Sequence, residues 1–245
     1  MKVDVTVSYH DRRRFWGRVA KGLLANRMAI KRVIVVHSRK WSGDWRPTAG
    51  MLPIETLEVP ETRQRNFNIA SVVNAGFKAA DTRFVVHLDD DVVLMPGAID
   101  AILADIQPFT LHNGLIAQVP DKTTWAKLEV FRPNEHKFTR DLTYPYGLAT
   151  GCFFACHKGA FTDLGGWDEE MQFYGLQDAE FAMRWMAKYG YHACRLRSAV
   201  GLHLGEARSG MSEPPEGSYN RQVVELRLKE LVGKRGPWRV KTVAG

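Results

Sequence analysis

The chain has 245 residues, a net charge of +7, 45% hydrophobic content and three cysteines. That is enough apolar material for one large core, and charges interrupt every stretch that approaches the roughly 20 apolar residues of a membrane helix. No spanning segment is expected, and the strand-like opening residues 1–7 give no expectation of a leader peptide; a cytoplasmic protein is expected, and an odd set of cysteines (Cys152, Cys156, Cys194) argues against a disulfide framework.

In chain order, residues 3–9 alternate as a strand does, and Phe15, Val19 and Leu23 fall at helical four-residue spacing. Residues 32–37 (Arg-Val-Ile-Val-Val-His) read as a buried strand, and 54–59 as a short one. A helix is expected near 67–80 through Val72, Val73, Gly76 and Phe77. The apolar run 83–88 then leads straight into Asp89-Asp90-Asp91. Met95-Pro96-Gly97 turns the chain into a short helix near 98–106. The polar stretch from about 120 to 147 reads as a loop with an insertion facing an acceptor. Cys152-Phe-Phe-Ala-Cys156 is an apolar run, which makes buried thiols a better reading of its cysteines than a metal pair. Gly165-Gly166 marks a turn, residues 177–188 a helix, and 192–197 a strand. An amphipathic helix near 220–232 and a basic tail close the chain. This rhythm of strands and helices predicts an α/β fold with a largely parallel sheet.

In such a sheet, ligands gather at the carboxyl ends of strands, and the aspartate triplet lies there. Three adjacent carboxylates repel one another unless a cation or hydrogen bonds offset the repulsion. A hard divalent ion such as Mg²⁺ or Mn²⁺ would do so and keep coordination sites for a diphosphate; the competing reading is an acidic surface turn. Asp178, near the start of a helix, is either a general base held ionised by the helix dipole or a first-turn acid of purely structural value. His203 lies between two glycines and is either structural or an imidazole ligand, which would favour Mn²⁺. Trp167, Phe173 and Tyr174 either stack on sugar rings or pack in the core. The positive charge admits nucleic acid, an anionic membrane surface or an acidic small molecule.

Two blocks carry a family resemblance. Asn66-Phe-Asn-Ile-Ala-Ser-Val-Val-Asn-Ala-Gly-Phe77 is similar to the run Phe-Asn-Arg-Ala-x-Leu-Leu-Asn-x-Gly-Phe of the β-1,4-galactosyltransferases. Gly165-Gly-Trp-Asp-Glu169 with Tyr174-Gly-Leu-Gln-Asp178 resembles that family's Gly-Gly-Phe-Asp-Glu and aromatic-Gly-x-Glu-Asp block. The chain thus resembles nucleotide-sugar glycosyltransferases of the GT-A fold, galactosyltransferase-like and family-2-like, over residues 3 to 205.

The resemblance implies a single GT-A (Rossmann-like) domain over 1–215, in which about 1–110 binds the nucleotide sugar and 111–215 the acceptor, followed by a C-terminal helix and basic tail over 216–245. It implies that the Asp-x-Asp motif falls on Asp89 and Asp91, with Asp89 and Asp90 near the donor and with Asp89, Asp91 and His203 holding Mn²⁺ or Mg²⁺. It gives Asp178 the role of general base in an inverting transfer from a UDP-sugar. Tyr9, Asp11, Arg12, Arg63, Arg65, Asn68 and Asn74 become donor contacts. Trp167, Tyr174, Gln177 and Glu180 become acceptor contacts, for a carbohydrate, lipid-linked or protein acceptor. Where many members have Glu-Asp, this chain has Gln177-Asp178, which leaves the acceptor open. A nucleotidyltransferase and a non-enzymatic basic protein remain as rival classes. Against the second, the triplet argues away from nucleic acid, while peripheral contact with an anionic membrane is compatible with the charge.

Overall fold

The computed structural model describes residues 1–10, 12–38, 46–60, 68–120, 122–129, 151–171, 175–190, 193–205 and 219–235, with side chains left aside at 38, 129, 193–197, 219, 228 and 230–235. Eight strands form one sheet: β1 (Val3–Ser8), β2 (Ile30–Ser38), β3 (Ile54–Val59), β4 (Phe84–Asp89), β5 (Val92–Leu94), β6 (Leu111–Val119), β7 (Phe153–His157) and β8 (Ala193–Leu204). Their order across the sheet is β3-β2-β1-β4-β7-β6-β8-β5. The described helices are α1 (Arg13–Ala25), α2 (Ile69–Ala79), α3 (Ala98–Asp105), α4 (Trp125–Glu129), α5 (Lys158–Asp163), α6 (Gln177–Tyr189) and α7 (Tyr219–Arg235).

The sequence reading of an α/β domain holds, and the sheet is mixed. Strands β3, β2, β1 and β4 run parallel, as do β6 and β8, whereas β7 is antiparallel to both its neighbours and β5 is antiparallel to β8. Both faces are covered, so alternate strand residues feed two cores. Val3, Val5, Val7, Val86, Leu88 and Phe153 pack under α1 and α3. Ile34, Val36, Val85, Phe154 and Cys156 pack under α2, α5 and α6. Cys152 packs against the first core and Cys156 belongs to the second, so the two free thiols are not a metal pair. Helix α2 lies close on the sheet because Gly76 has no side chain; a Cβ there would meet Thr6 at 3.0 Å.

Strand β6 was not foreseen, because His112, Asn113 and Gly114 break its apolar pattern; it is nevertheless buried between β7 and β8. The stretch from 120 to 147 contains the short helix α4, and most of the rest of it lies outside the described residues, as does the tail beyond 235. Among the described residues no helix is long and apolar enough to cross a membrane.

Candidate active site

The carboxyl ends of β1 and β4 are neighbours, and the acidic triplet emerges between them. The three aspartates then part company. Asp90 turns inward and is fully buried. Its Oδ2 accepts the backbone N–H of His10 at 2.7 Å and of Arg12 at 3.3 Å, and its Oδ1 meets the Arg12 guanidinium at 3.3 Å. Asp90 therefore anchors the turn after β1. Burial pushes its carboxyl up to about 7 against the pull of Arg12 and the His10 N–H.

Asp89 faces His87, whose Nε2 lies 3.6 Å from its Oδ1. Burial raises its carboxyl, but the neighbouring His87, with His10 and Arg12, outweighs that and holds it below the usual range. Below it, His87 Nδ1 is 3.1 Å from Thr6 Oγ1. Sequence reasoning missed His87, although strand periodicity puts residues 87 and 89 on one face.

Asp91 is brought to His203 by strand pairing. Strand β8 runs without a break through His203, longer than expected; Val92 pairs with His203, and Leu204 N–H donates to the Asp91 carbonyl at 2.8 Å. The His203 Nε2 atom consequently lies 3.4 Å from Asp91 Oδ2. Burial raises the Asp91 carboxyl, with His203 and Arg12 opposing. Arg12 also forms an ion pair with Asp91. One guanidinium thus bridges Asp90 and Asp91, and the protein itself supplies part of the positive charge that offsets the triplet's repulsion.

A divalent ion nevertheless fits the Asp91–His203 pair in donor chemistry, oxygen plus imidazole. Asp91 Oδ1 and His203 Nδ1 are both buried with no hydrogen-bond partner among the described residues. Asp89 does not join them: among the described residues, no three His, Cys, Asp or Glu side chains form a metal-holding group.

Asp178 sits in the first turn of α6, half-buried beside Gly151. Its Oδ2 accepts the Gly151 N–H at 3.0 Å and its Oδ1 the Ala179 N–H at 2.8 Å. Burial pushes the carboxyl up to about 6, with these N–H groups opposing and Asp89 adding to the rise. Next to Gly151, Cys152 accepts the Asp89 N–H at 3.0 Å. Its thiol is pushed up by burial and by the charges of Asp89, Asp91 and Asp178.

Other expected contacts are committed elsewhere. Asn68 caps α2, accepting the Ser71 N–H at 3.2 Å and donating to the Glu169 carbonyl at 3.0 Å. Asn74 accepts the Trp167 N–H at 2.8 Å and donates to the Trp167 carbonyl and to Glu169. Both amides therefore lace α2 to the Gly165–Glu169 turn. Tyr9 is wholly buried in the core. Trp167 is also buried, stacked on Phe154 at 5.9 Å between centroids, so its packing role prevails over sugar stacking. Gln177 braces its own turn, accepting the Gly175 N–H at 2.8 Å and donating to the Met171 carbonyl at 3.3 Å. Glu180 is buried in ion pairs with Arg184 at 2.6 Å and Arg227 at 3.5 Å. Trp167 and Glu180 do line one groove of about 430 Å³ with Asn74, Asp168, Glu169, Arg184 and Arg227, but Asp178 and Gln177 are not in its wall. Asp11, Arg63, Arg65, Phe173 and Tyr174 lie outside the described residues.

With this geometry in hand, comparison with known proteins identifies the framework. The glycosyl transferase family 2 model matches residues 61–165, and the model described as the N-terminal domain of galactosyltransferase matches residues 126–205. No curated protein sequence matches the chain. Among solved structures, GalNAc-T7 with UDP, GalNAc and Mn²⁺ is similar at a TM-score of 0.59 and 13% identity, covering 94% of this chain and 48% of that one. The chain thus spans about half the length of that protein. A mannosyltransferase from Pyrobaculum calidifontis in complex with GDP-Man and Mn²⁺ gives 0.57 and 16% identity, over 97% of this chain and 77% of that one. The catalytic domain of Drosophila β1,4-galactosyltransferase 7 in complex with xylobiose gives 0.55 and 15%, over 91% and 79%. At such identities the likeness shows the fold, and the two family models, which overlap at residues 126–165 and together span residues 61–205, point the same way: the chain has the GT-A fold and is similar to glycosyltransferases that share it.

Proposed function

We propose that the protein transfers a sugar from a nucleoside diphosphate donor, UDP in the first instance, to an acceptor hydroxyl with inversion, and that Asp178 is the general base. The observation that carries this reading is the placement of Asp178. A half-buried carboxyl with a pKa near 6 is ionised at neutral pH yet basic enough to take a proton. Two backbone N–H groups fix both its oxygens, and Gly151-Cys152 links it to Asp89 of the acidic motif.

In this mechanism the acceptor oxygen attacks the anomeric carbon, its proton passes to an Asp178 oxygen, and the nucleoside diphosphate departs from the opposite face. Asp91 and His203 are the residues that would hold Mn²⁺ or Mg²⁺. When bound, such an ion neutralises charge on the leaving diphosphate. Arg12 keeps Asp90 and Asp91 in register, and Asp90 fixes the turn after β1 by taking the His10 and Arg12 N–H groups. The carbohydrate, lipid-linked or protein nature of the acceptor, a cytoplasmic setting and contact with an anionic membrane remain proposals beside this one.

Thermal shift with UDP-sugars and GDP-sugars, each with Mn²⁺ or with excess chelator, tests the donor class. A donor at about 100 times its dissociation constant adds about 2.7 kcal/mol, which is readily seen. A UDP-sugar that stabilises only with metal supports the proposal; no stabilisation by any nucleotide sugar under either condition would overturn it.

A further inference from the structure

The helix after the matched region bears directly on Asp178. Both family models end by residue 205, whereas α7 begins at Tyr219 and lies against α6. Asn220, Val224 and Arg227 recur at four- and three-residue intervals and so share one face of α7. Asn220 is wholly buried, Val224 packs into the core beneath α6, and Arg227 pairs with Glu180 at 3.5 Å.

Asn220 acts at an unusual piece of backbone. The turn into α6 passes through Gly175 at φ 111° and Leu176 at φ 71°, the second being the one described non-glycine residue with positive φ. A residue with a β-carbon keeps that conformation only where its surroundings over-determine it. Here the surroundings are specific. The Gly175 N–H donates to Gln177 Oε1 at 2.8 Å, and the Gly175 carbonyl accepts from Asn220 Nδ2 at 3.0 Å. Leu176 is the N-cap of α6, and Asp178 follows two residues later. Any relaxation of the turn displaces the Asp178 carboxylate relative to Gly151.

We propose that Asn220 is a positioning residue: through the Gly175 carbonyl it holds the left-handed turn that aims Asp178, and Arg227 supports the same helix through Glu180. The C-terminal helix is then part of the catalytic apparatus. This inference rests on the base assignment for its catalytic consequence, although its structural half can be measured without it.

The test compares wild type with Asn220→Leu, which keeps the size and removes the donor, and with Arg227→Met as a second variant that leaves the turn's own hydrogen bonds in place. The Asp178 carboxyl is titrated by ¹³C NMR, its signal assigned by its loss in Asp178→Asn. UDP affinity with Mn²⁺ and UDP release from a UDP-sugar are measured alongside. The expected result for Asn220→Leu is a displaced Asp178 titration, UDP affinity within about two-fold of wild type, and turnover lowered by about ten-fold or more, since small misplacements near the reacting atoms are costly. In the Asp178→Asn background, Asn220→Leu should add no further loss. Should Asn220→Leu not fold, the same displacement and turnover loss, smaller in size, are expected of Arg227→Met. An unchanged titration and turnover in the folded variants overturns the proposal. If the titration moves while Asp178→Asn retains transfer, the positioning role stands and the base assignment falls.

Discussion

Gly151 donates its backbone N–H to Asp178 Oδ2 at 3.0 Å, and the residue after Gly151 accepts the Asp89 N–H. One dipeptide at the start of β7 therefore fixes the distance between the acidic motif at the end of β4 and the carboxylate at the start of α6. Several expectations come from this arrangement.

The pH dependence follows from burial of Asp178. A base must be ionised, so the acid limb of transfer against pH is expected to have a midpoint near 6, above the ordinary carboxylate range. The effect on stability has the opposite sense. Between the unfolded value of 3.8 and the folded value of about 6 the native state holds more protons than the unfolded chain, so this group's contribution to stability falls as pH rises through that window. A limb that stays in Asp178→Asn would assign it to another group.

Glu180→Gln is expected to act on stability. Its carboxylate is buried against Arg184 and Arg227, and removing one partner of such a cluster leaves guanidinium groups poorly compensated. Because both arginines are partly exposed, a loss of about 1–3 kcal/mol is expected, or several degrees in Tm for a chain of this size. Transfer per folded molecule, measured well below the new Tm, should fall about as in Arg227→Met, which loses the same ion pair, and far less than in Asp178→Asn.

Gly166→Ala tests the lacing of α2 to the Gly165–Glu169 turn. The residue has φ +71°, and a Cβ there would come within 2.3 Å of Asn74 Oδ1. The substitution should destabilise by about 1–3 kcal/mol through strain and the loss of the Asn74 bonds. Denaturant unfolding with unchanged m-value and a lower midpoint would agree; an unchanged midpoint would not.

Asp91→Ala and His203→Ala address the metal. UDP affinity with Mn²⁺ is expected to drop toward the chelator value in Asp91→Ala, and His203→Ala should weaken Mn²⁺ more than Mg²⁺ because imidazole favours the softer ion. Calorimetry checks both. Equal UDP affinity with Mn²⁺ and with chelator in wild type would remove the metal from the account.

Much of the fold was legible because strand 3–8 alternates apolar and polar residues, 84–88 is a largely apolar run, and α1 and α2 carry helical spacing. Strand β6 was hidden by its buried His112 and Asn113, polar residues whose burial the sequence does not announce. At the site, the motif positions were visible but the direction of each side chain was not. Adjacent aspartates at a strand end diverge, so only Asp91 meets His203, while Asp90 turns to Arg12. That Arg12 would offset the triplet's repulsion depends on the turn after β1, which spacing does not reveal. Asn68 and Asn74 looked like ligand contacts because polar residues in a motif invite that reading; their partners, Trp167 and Glu169, lie about a hundred residues away.

The central claim is that Asp178 takes the acceptor proton, and transfer by Asp178→Asn measures it most directly. The amide keeps the shape and one carbonyl oxygen for the Gly151 or Ala179 N–H, and it removes a half-buried charge, so Tm at neutral pH should not fall. With UDP affinity in Mn²⁺ unchanged, transfer should drop by about 10²–10⁴, the loss expected of a missing general base. Near-normal transfer by a folded, UDP-binding Asp178→Asn would contradict the account.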